Sequence, residues 1–192
     1  MTQMCKNPLL LVIDMQNAYM PVQPWSCQNY DAASANVVKL CKRIDNVIFT
    51  KYIASENPSG TWADYNQINK EINENAWLNE LSMDTLGHKC YDKSVYSAYS
   101  VKEVQEAASL ATSIIVTGVV AECCVLSTVM SLIDAGRYVY YVYDAIAGAT
   151  PETEQASMKV LEGLAYVHLR FITTEEMLAL LDSNGISSME LF

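Results

Sequence analysis

The sequence predicts an α/β fold, a three-layer sandwich in which a six-stranded, mostly parallel sheet is covered by helices on both faces. Three observations carry this prediction. Short apolar runs alternate with amphipathic stretches along the whole chain. The clearest runs are apolar at successive rather than alternate positions, as in strands buried on both faces. Helix start and stop signals fall between them. The 192 residues, 51% hydrophobic and 18% charged, read as one globular domain, 1–192, with no internal repeat, linker or low-complexity tract.

The elements follow in order. Residues 9–13 are apolar throughout and end at Asp14, giving a first buried strand. Val37, Leu40, Cys41 and Ile44 have helical spacing and lead into a strand over 47–50. Residues 54–61, rich in Ser, Asn, Pro and Gly, form a loop. Tyr65, Ile68 and Ile72 predict a helix, and 87–91 a weak strand. A helix over 101–110 has Val101, Val104 and Ala108 on one face. Residues 114–117 make the clearest central strand, followed by Gly118. The helix predicted over 124–135 is closed by Gly136 as its C′ residue. Residues 138–143 are β-branched and aromatic and end at Asp144. Pro151 with Glu152 and Glu154 marks a helix start. A last strand spans 167–172 and a last helix 174–181, with Glu175 and Glu176 in its first turn. Sites in such sheets lie at the carboxyl ends of strands. That rule singles out Asp14, Thr50, Lys93, the 118–124 segment and Asp144.

Charge and motifs exclude several functions. The net charge of -10 comes without a Lys/Arg cluster, so the sequence predicts no nucleic-acid partner. The N-terminal apolar run is too short for a signal peptide, and no stretch is long enough to span a bilayer. These features predict a cytoplasmic protein without a membrane partner. The six cysteines (Cys5, Cys27, Cys41, Cys90, Cys123 and Cys124) form no CxxC pair, which argues against a disulfide scaffold or a zinc site. No GxGxxG, Walker A or GxSxG motif is present. The two histidines, His88 and His168, fall inside strand-like stretches, so neither is expected to pair with a catalytic cysteine.

Two positions carry chemistry, each with two readings. Asp14 ends a buried strand, where it is either a polar turn former or a general base. Cys124 lies near the start of the 124–135 helix, where N–H groups and the helix dipole favour a thiolate and can hold an oxyanion. Its other reading is a small packing residue, which is the role expected for Cys123, turned about 100° away.

Three segments then point to a family. They are Leu10-Leu11-Val12-Ile13-Asp14-Met15-Gln16, Lys93-Ser94-Val95-Tyr96-Ser97-Ala98-Tyr99, and Thr117-Gly118 through Cys124-Val125. In this order and spacing the chain resembles the isochorismatase-like cysteine hydrolases, which include nicotinamidases, carbamoylsarcosine amidases and ureidoacrylate amidohydrolases. The resemblance runs from about residue 8 to residue 175. It implies a catalytic triad of Asp14, Lys93 and Cys124. It also implies a cis peptide in the turn before the nucleophile, at Val120–Ala121, and an oxyanion hole from the backbone of Ala121 and Cys124. Relatives often carry Thr or Ser where this chain has Ala121, so only backbone donors remain there.

Two departures narrow the implied activity. Nicotinamidases hold a metal through an Asp-x-His pair after the second strand and a further His. Here that segment reads Thr50-Lys51-Tyr52-Ile53-Ala54, and the first histidine is His88. The resemblance therefore implies a metal-free branch without a cofactor. True isochorismatases lack the nucleophilic cysteine, so Cys124 favours hydrolysis of an amide, carbamoyl or ureido C–N bond through a thioester. Substrate contacts are expected from Tyr19, Trp25, Trp62, Tyr96 and Tyr99. Lys51 is either a ligand for a substrate carboxylate or a solvated strand-end lysine. The expected partner is a small molecule, and the expected assembly a homodimer or homotetramer, as in relatives. Two other functions fit the same residues: a non-catalytic binding protein of this fold, or a thiol redox sensor using Cys123 and Cys124.

Overall fold

The structure is a computed structural model and describes residues 6–186; Cys5 lies outside the described residues. Six strands form one sheet in the order β3-β2-β1-β4-β5-β6, and every pairing is parallel. The strands are β1 (Pro8–Ile13), β2 (Val47–Tyr52), β3 (Lys89–Lys93), β4 (Ser113–Val119), β5 (Val139–Ala147) and β6 (Leu169–Ile172). The helices are α1 (Tyr30–Cys41), α2 (Thr61–Ile68), α3 (Lys70–Asn73), α4 (Ala76–Asn79), α5 (Lys102–Leu110), α6 (Leu126–Asp134), α7 (Pro151–Glu162) and α8 (Thr174–Ile186).

Two hydrophobic layers explain why the central strands are apolar at successive positions. Leu10 and Val12 of β1 pack with α1 and α8 on one face, through Val37, Leu40 and Met177. Leu9, Leu11 and Ile13 pack with α5, α6 and α7 on the other, through Val104, Val129 and Leu161. All five residues are fully buried. Each such side chain contributes about 1.5–3 kcal/mol of burial. β4 is buried along its whole length in the same way.

Local signals end the helices as their sequences require. Gly136 has φ +71, and the bonds from Gly136 N–H to Ile133 O and from Arg137 N–H to Leu132 O close α6 in a Schellman motif. Thr150 caps α7 by accepting from Thr153 N–H, with Pro151 at the first helical position. The helix predicted around Tyr65 and Ile72 is instead broken into α2, α3 and α4. Asn69 sits at the first break, and its side-chain amide bonds the Tyr65 carbonyl, in competition with the helical ladder. Asn75 caps α4 at the second.

Three other boundaries differ from expectation. β5 runs past Asp144 to Ala147, with a register shift against β4. Asp144 is not a site carboxylate: its Oδ1 accepts from Thr174 N–H and Oγ1 and so anchors the start of α8. His88 and His168 lie just before β3 and β6, at the amino ends of the strands and away from the carboxyl ends. Among the described residues, no helix is long and apolar enough to cross a membrane.

The strand order reverses between β1 and β4, which opens a crevice at their carboxyl ends. Gly118 lets these two strands meet there. It has φ +108, and a Cβ on it would stand 2.1 Å from Ile13 O and 2.6 Å from Ile13 N. Both obstacles are backbone, so no side chain can move aside. Gly118→Ala is expected to lose at least about 3 kcal/mol, from backbone strain and overpacking together. Thermal melting checks this, and a variant that melts with the parent contradicts it.

Candidate active site

Three strand ends and one turn converge on a buried ion pair. Asp14 follows β1 with φ +51, a left-handed conformation that a short polar residue tolerates. Its N–H donates to Thr50 O at 3.0 Å, which ties the ends of β1 and β2. Its carboxylate is fully buried. Oδ1 accepts from Thr50 Oγ1 at 2.8 Å, and Oδ2 lies 2.5 Å from Lys93 Nζ. Gln16 braces the same corner, since its amide exchanges two bonds with the Tyr52 backbone and a third with Asn79 O.

Lys93 is the last residue of β3, and its side chain is fully buried. Its ammonium has three donors and meets three acceptors: Asp14 Oδ2, Val95 O at 3.0 Å and Cys124 Sγ at 3.4 Å. It also sits 5.7 Å from the centre of the Tyr52 ring. Burial acts to lower the Lys93 pKa, but the Asp14 charge and the Cys124 sulfur outweigh it, and the net shift is upward. The pairing thus favours the charged form of the lysine.

Cys124 lies in a π-helical turn, Ala121–Val125, between β4 and α6. Cys123 N–H and Val125 N–H both donate to Val120 O at 3.1 Å. Thr128 Oγ1 donates to Cys124 O at 2.7 Å and accepts from Ala98 N–H at 2.8 Å, which locks the turn to the segment after β3. Burial and the Asp14 charge push the Cys124 thiol up, against the opposing pull of Lys93. Cys124 sits inside the π-helical turn rather than at the open start of α6.

The cis peptide is also displaced from its expected place. It is Val119–Val120, not Val120–Ala121. β4 extends to Val119, and Val120 already acts as the cap of the turn, so the junction falls one peptide earlier.

Above Cys124 opens a cleft of about 400 Å³. Tyr19, Trp25 and Tyr96 line it, as expected, together with Tyr65, Glu122 and Cys123. Trp62 lines an adjoining cavity that shares Tyr65 and Tyr96. Two expected contacts are not brought to the cleft. Tyr99 packs against the layer under α5 and α6. Lys51 follows Thr50 on β2, projects to the opposite face and pairs with Asp92 at 3.5 Å. Of the residues the sequence did not single out, Tyr65 carries only the signal of a helical apolar position, and Glu122 lies within the quoted turn. A second cleft of about 470 Å³, among Asp45, His88 and Glu106, holds none of the three converging residues.

The Isochorismatase domain matches residues 8–176. The chain belongs to the isochorismatase family. It is accordingly a hydrolase acting on small molecules. Among curated proteins, none matches its sequence. Solved structures share the fold. A cysteine hydrolase from Pseudomonas syringae pv. phaseolicola superposes with a TM-score of 0.79 at 20% identity, covering 93% of each chain. An isochorismatase-like hydrolase from Alkaliphilus metalliredigens gives 0.69 at 15% identity, covering 90% of this chain and 98% of its own. A pyrazinamidase of Pyrococcus horikoshii in complex with zinc gives 0.66 at 18%, covering 87% and 99%. The residues here do not fit such a metal: among those described, no three His, Cys, Asp or Glu side chains gather to hold one. At the end of β2 the chain offers Lys51, Tyr52 and then Ile53 instead.

Two outcomes follow for stability. Lys93→Met strands a buried carboxylate, at a cost of about 3–5 kcal/mol. Its melting temperature is expected to fall on the order of 10 °C. The double variant Asp14→Asn/Lys93→Met, with both charges gone, is expected to melt above that single variant. The second outcome concerns alkali. Burial holds Cys27 up to about 12 and Cys41 up to about 11, and raises Cys124 as well. Unfolded thiols release their protons near pH 9, so the stability these groups contribute is complete below that pH. It is lost as pH rises toward 11–12, at about 1.4 kcal/mol per thiol per pH unit. Melting temperatures are expected to be level from pH 7 to 8.5 and to fall steadily above 9. Cys27→Ala/Cys41→Ala is expected to flatten that slope, and an unchanged slope contradicts this account.

Proposed function

We propose that the protein is a cysteine amidohydrolase that cleaves an amide, carbamoyl or ureido C–N bond through a Cys124 thioester. One observation carries the reading: the Lys93 ammonium touches both the Asp14 carboxylate and the Cys124 sulfur at the floor of a cleft. A thiol beside a buried carboxylate is a nucleophile stored with its base.

In the first half-reaction Asp14 takes the Cys124 proton and the sulfur attacks the carbonyl carbon. The oxyanion falls to the N–H groups of Ala121 and Cys124, since those of Cys123 and Val125 are engaged by Val120 O. The tetrahedral adduct collapses, the C–N bond breaks, and Asp14 returns the proton to the departing nitrogen. In the second half-reaction water gives a proton to Asp14 and adds to the thioester. The C–S bond then breaks, the acid leaves, and Cys124 regains its proton. Lys93 remains protonated throughout and stabilises each anion that forms beside it. A reducing cytoplasm suits this chemistry, and the five described cysteines are all free thiols.

Cys124→Ala is expected to lower ammonia or amine release from small amides, ureas and carbamoyl compounds by roughly a thousandfold or more. The parent, quenched during turnover, is expected to show an acyl adduct on Cys124 by peptide mass spectrometry. Full activity in the alanine variant rules out the nucleophile.

A further inference from the structure

We infer that the cleft selects substrates whose non-scissile part is a cation, an alkylammonium or trimethylammonium group. This names the substrate class of the site above and rests on that reading for the bond cleaved, though not for the binding. Four features of the cleft converge on it.

The first is its aromatic wall. Tyr19 and Trp25 stand 5.4 Å apart at 34°, and Tyr65 and Tyr96 6.3 Å apart at 83°. Trp62 continues the wall into the adjoining cavity, at 75° to Tyr65 and 61° to Tyr96. Tilted and edge-to-face contacts knit these rings together, and Tyr19, Trp25, Tyr65 and Tyr96 line the cleft. Aromatic surface attracts a weakly hydrated cation, and most strongly when the cation is desolvated.

The second is Glu122, which supplies the only formal charge among the described residues lining the cleft. Its Oε1 accepts from Thr153 Oγ1 at 2.7 Å and from Ala149 N–H at 3.1 Å. These bonds hold the carboxylate at the amino end of α7, whose dipole offsets part of its charge without supplying a formal counter-ion. The third is the absence of an opposing cation. Among the described residues no Lys or Arg lines the cleft; Lys93 lies beneath Cys124, buried in its pair with Asp14, and Lys51 pairs with Asp92 on the other face of β2. A substrate carboxylate would meet aromatic faces and a glutamate with no counter-ion. The fourth is the field of the whole chain, whose net charge of -10 steers cations inward and repels anions.

Three primary amides of similar size separate the possibilities: trimethylammonioacetamide, its uncharged isostere 3,3-dimethylbutanamide, and anionic succinamate. With the parent protein, kcat/KM for the cation is expected to exceed that of the isostere at least tenfold, with succinamate lowest. Binding is read separately on Cys124→Ala by tryptophan fluorescence, with tetramethylammonium and neopentane-like tert-butanol as probes. Tetramethylammonium is expected to bind at least tenfold more tightly, and added salt to weaken it. Glu122→Gln is expected to shrink the cation-to-isostere ratio, a ratio in which any general loss of activity or folding cancels. Cation-selective binding without hydrolysis of any amide overturns the proposed reaction and leaves this inference standing. Equal treatment of cation and isostere, or a preference for succinamate, overturns the inference even if hydrolysis is found.

Discussion

The site depends on keeping one ammonium out of water. Lys93 is buried at the end of an edge strand, and the cost is offset only because each of its three protons has an acceptor. Strand order makes a long side chain necessary. β3 lies two strands from β1, a distance of about 10 Å, and the nucleophile turn lies beyond it after β4. The lysine stem and the Asp14 side chain together close that gap, and the compact ammonium fits between a carboxylate and a sulfur. Thr50, Gln16 and Thr128 then hold the three contributing segments so that the head meets its acceptors.

Much of this was legible because burial imposes strong local patterns. A strand covered on both faces must be apolar throughout, so β1 and β4 are plain in the sequence, and the residues just past them are exposed as candidates. Gly136 and Pro151 mark helix ends by conformational preference alone. Other features depend on contacts that a linear pattern does not contain. The helix around Tyr65 fragments because Asn69 turns its amide back on the chain. β5 continues past Asp144 because that carboxylate is taken by the start of α8, some thirty residues later. Lys51 and Thr50 are neighbours in sequence, yet a one-residue step along a strand reverses direction. Thr50 meets Asp14 while Lys51 faces Asp92. Glu122 reads as a mere neighbour of Cys123 until α7 folds back and fixes it.

The cleft is built in two grades of rigidity. Its floor comes from strand ends and a turn locked by buried hydrogen bonds. Its walls come from the segments around Tyr19 and Trp25, from α2, and from the stretch after β3, all of which lie outside the sheet. Variation is least costly in such connecting segments. Relatives at 15–20% identity share the fold. Within that shared frame, the wall segments place tyrosines, tryptophans and one fixed carboxylate around the cleft.

The two oxygens of Asp14 are not equivalent. Thr50 holds Oδ1, while Oδ2 has no hydrogen-bond donor besides the Lys93 ammonium. On the proposed mechanism a single oxygen must collect the thiol proton, deliver it to the departing nitrogen, and then receive a proton from water. Leaving group and water thus occupy the same position in turn, and the first must vacate it before the second can react. On that same mechanism, a small neutral amine reaching that position would compete with water for the thioester, and hydrolysis and acyl transfer would share one site.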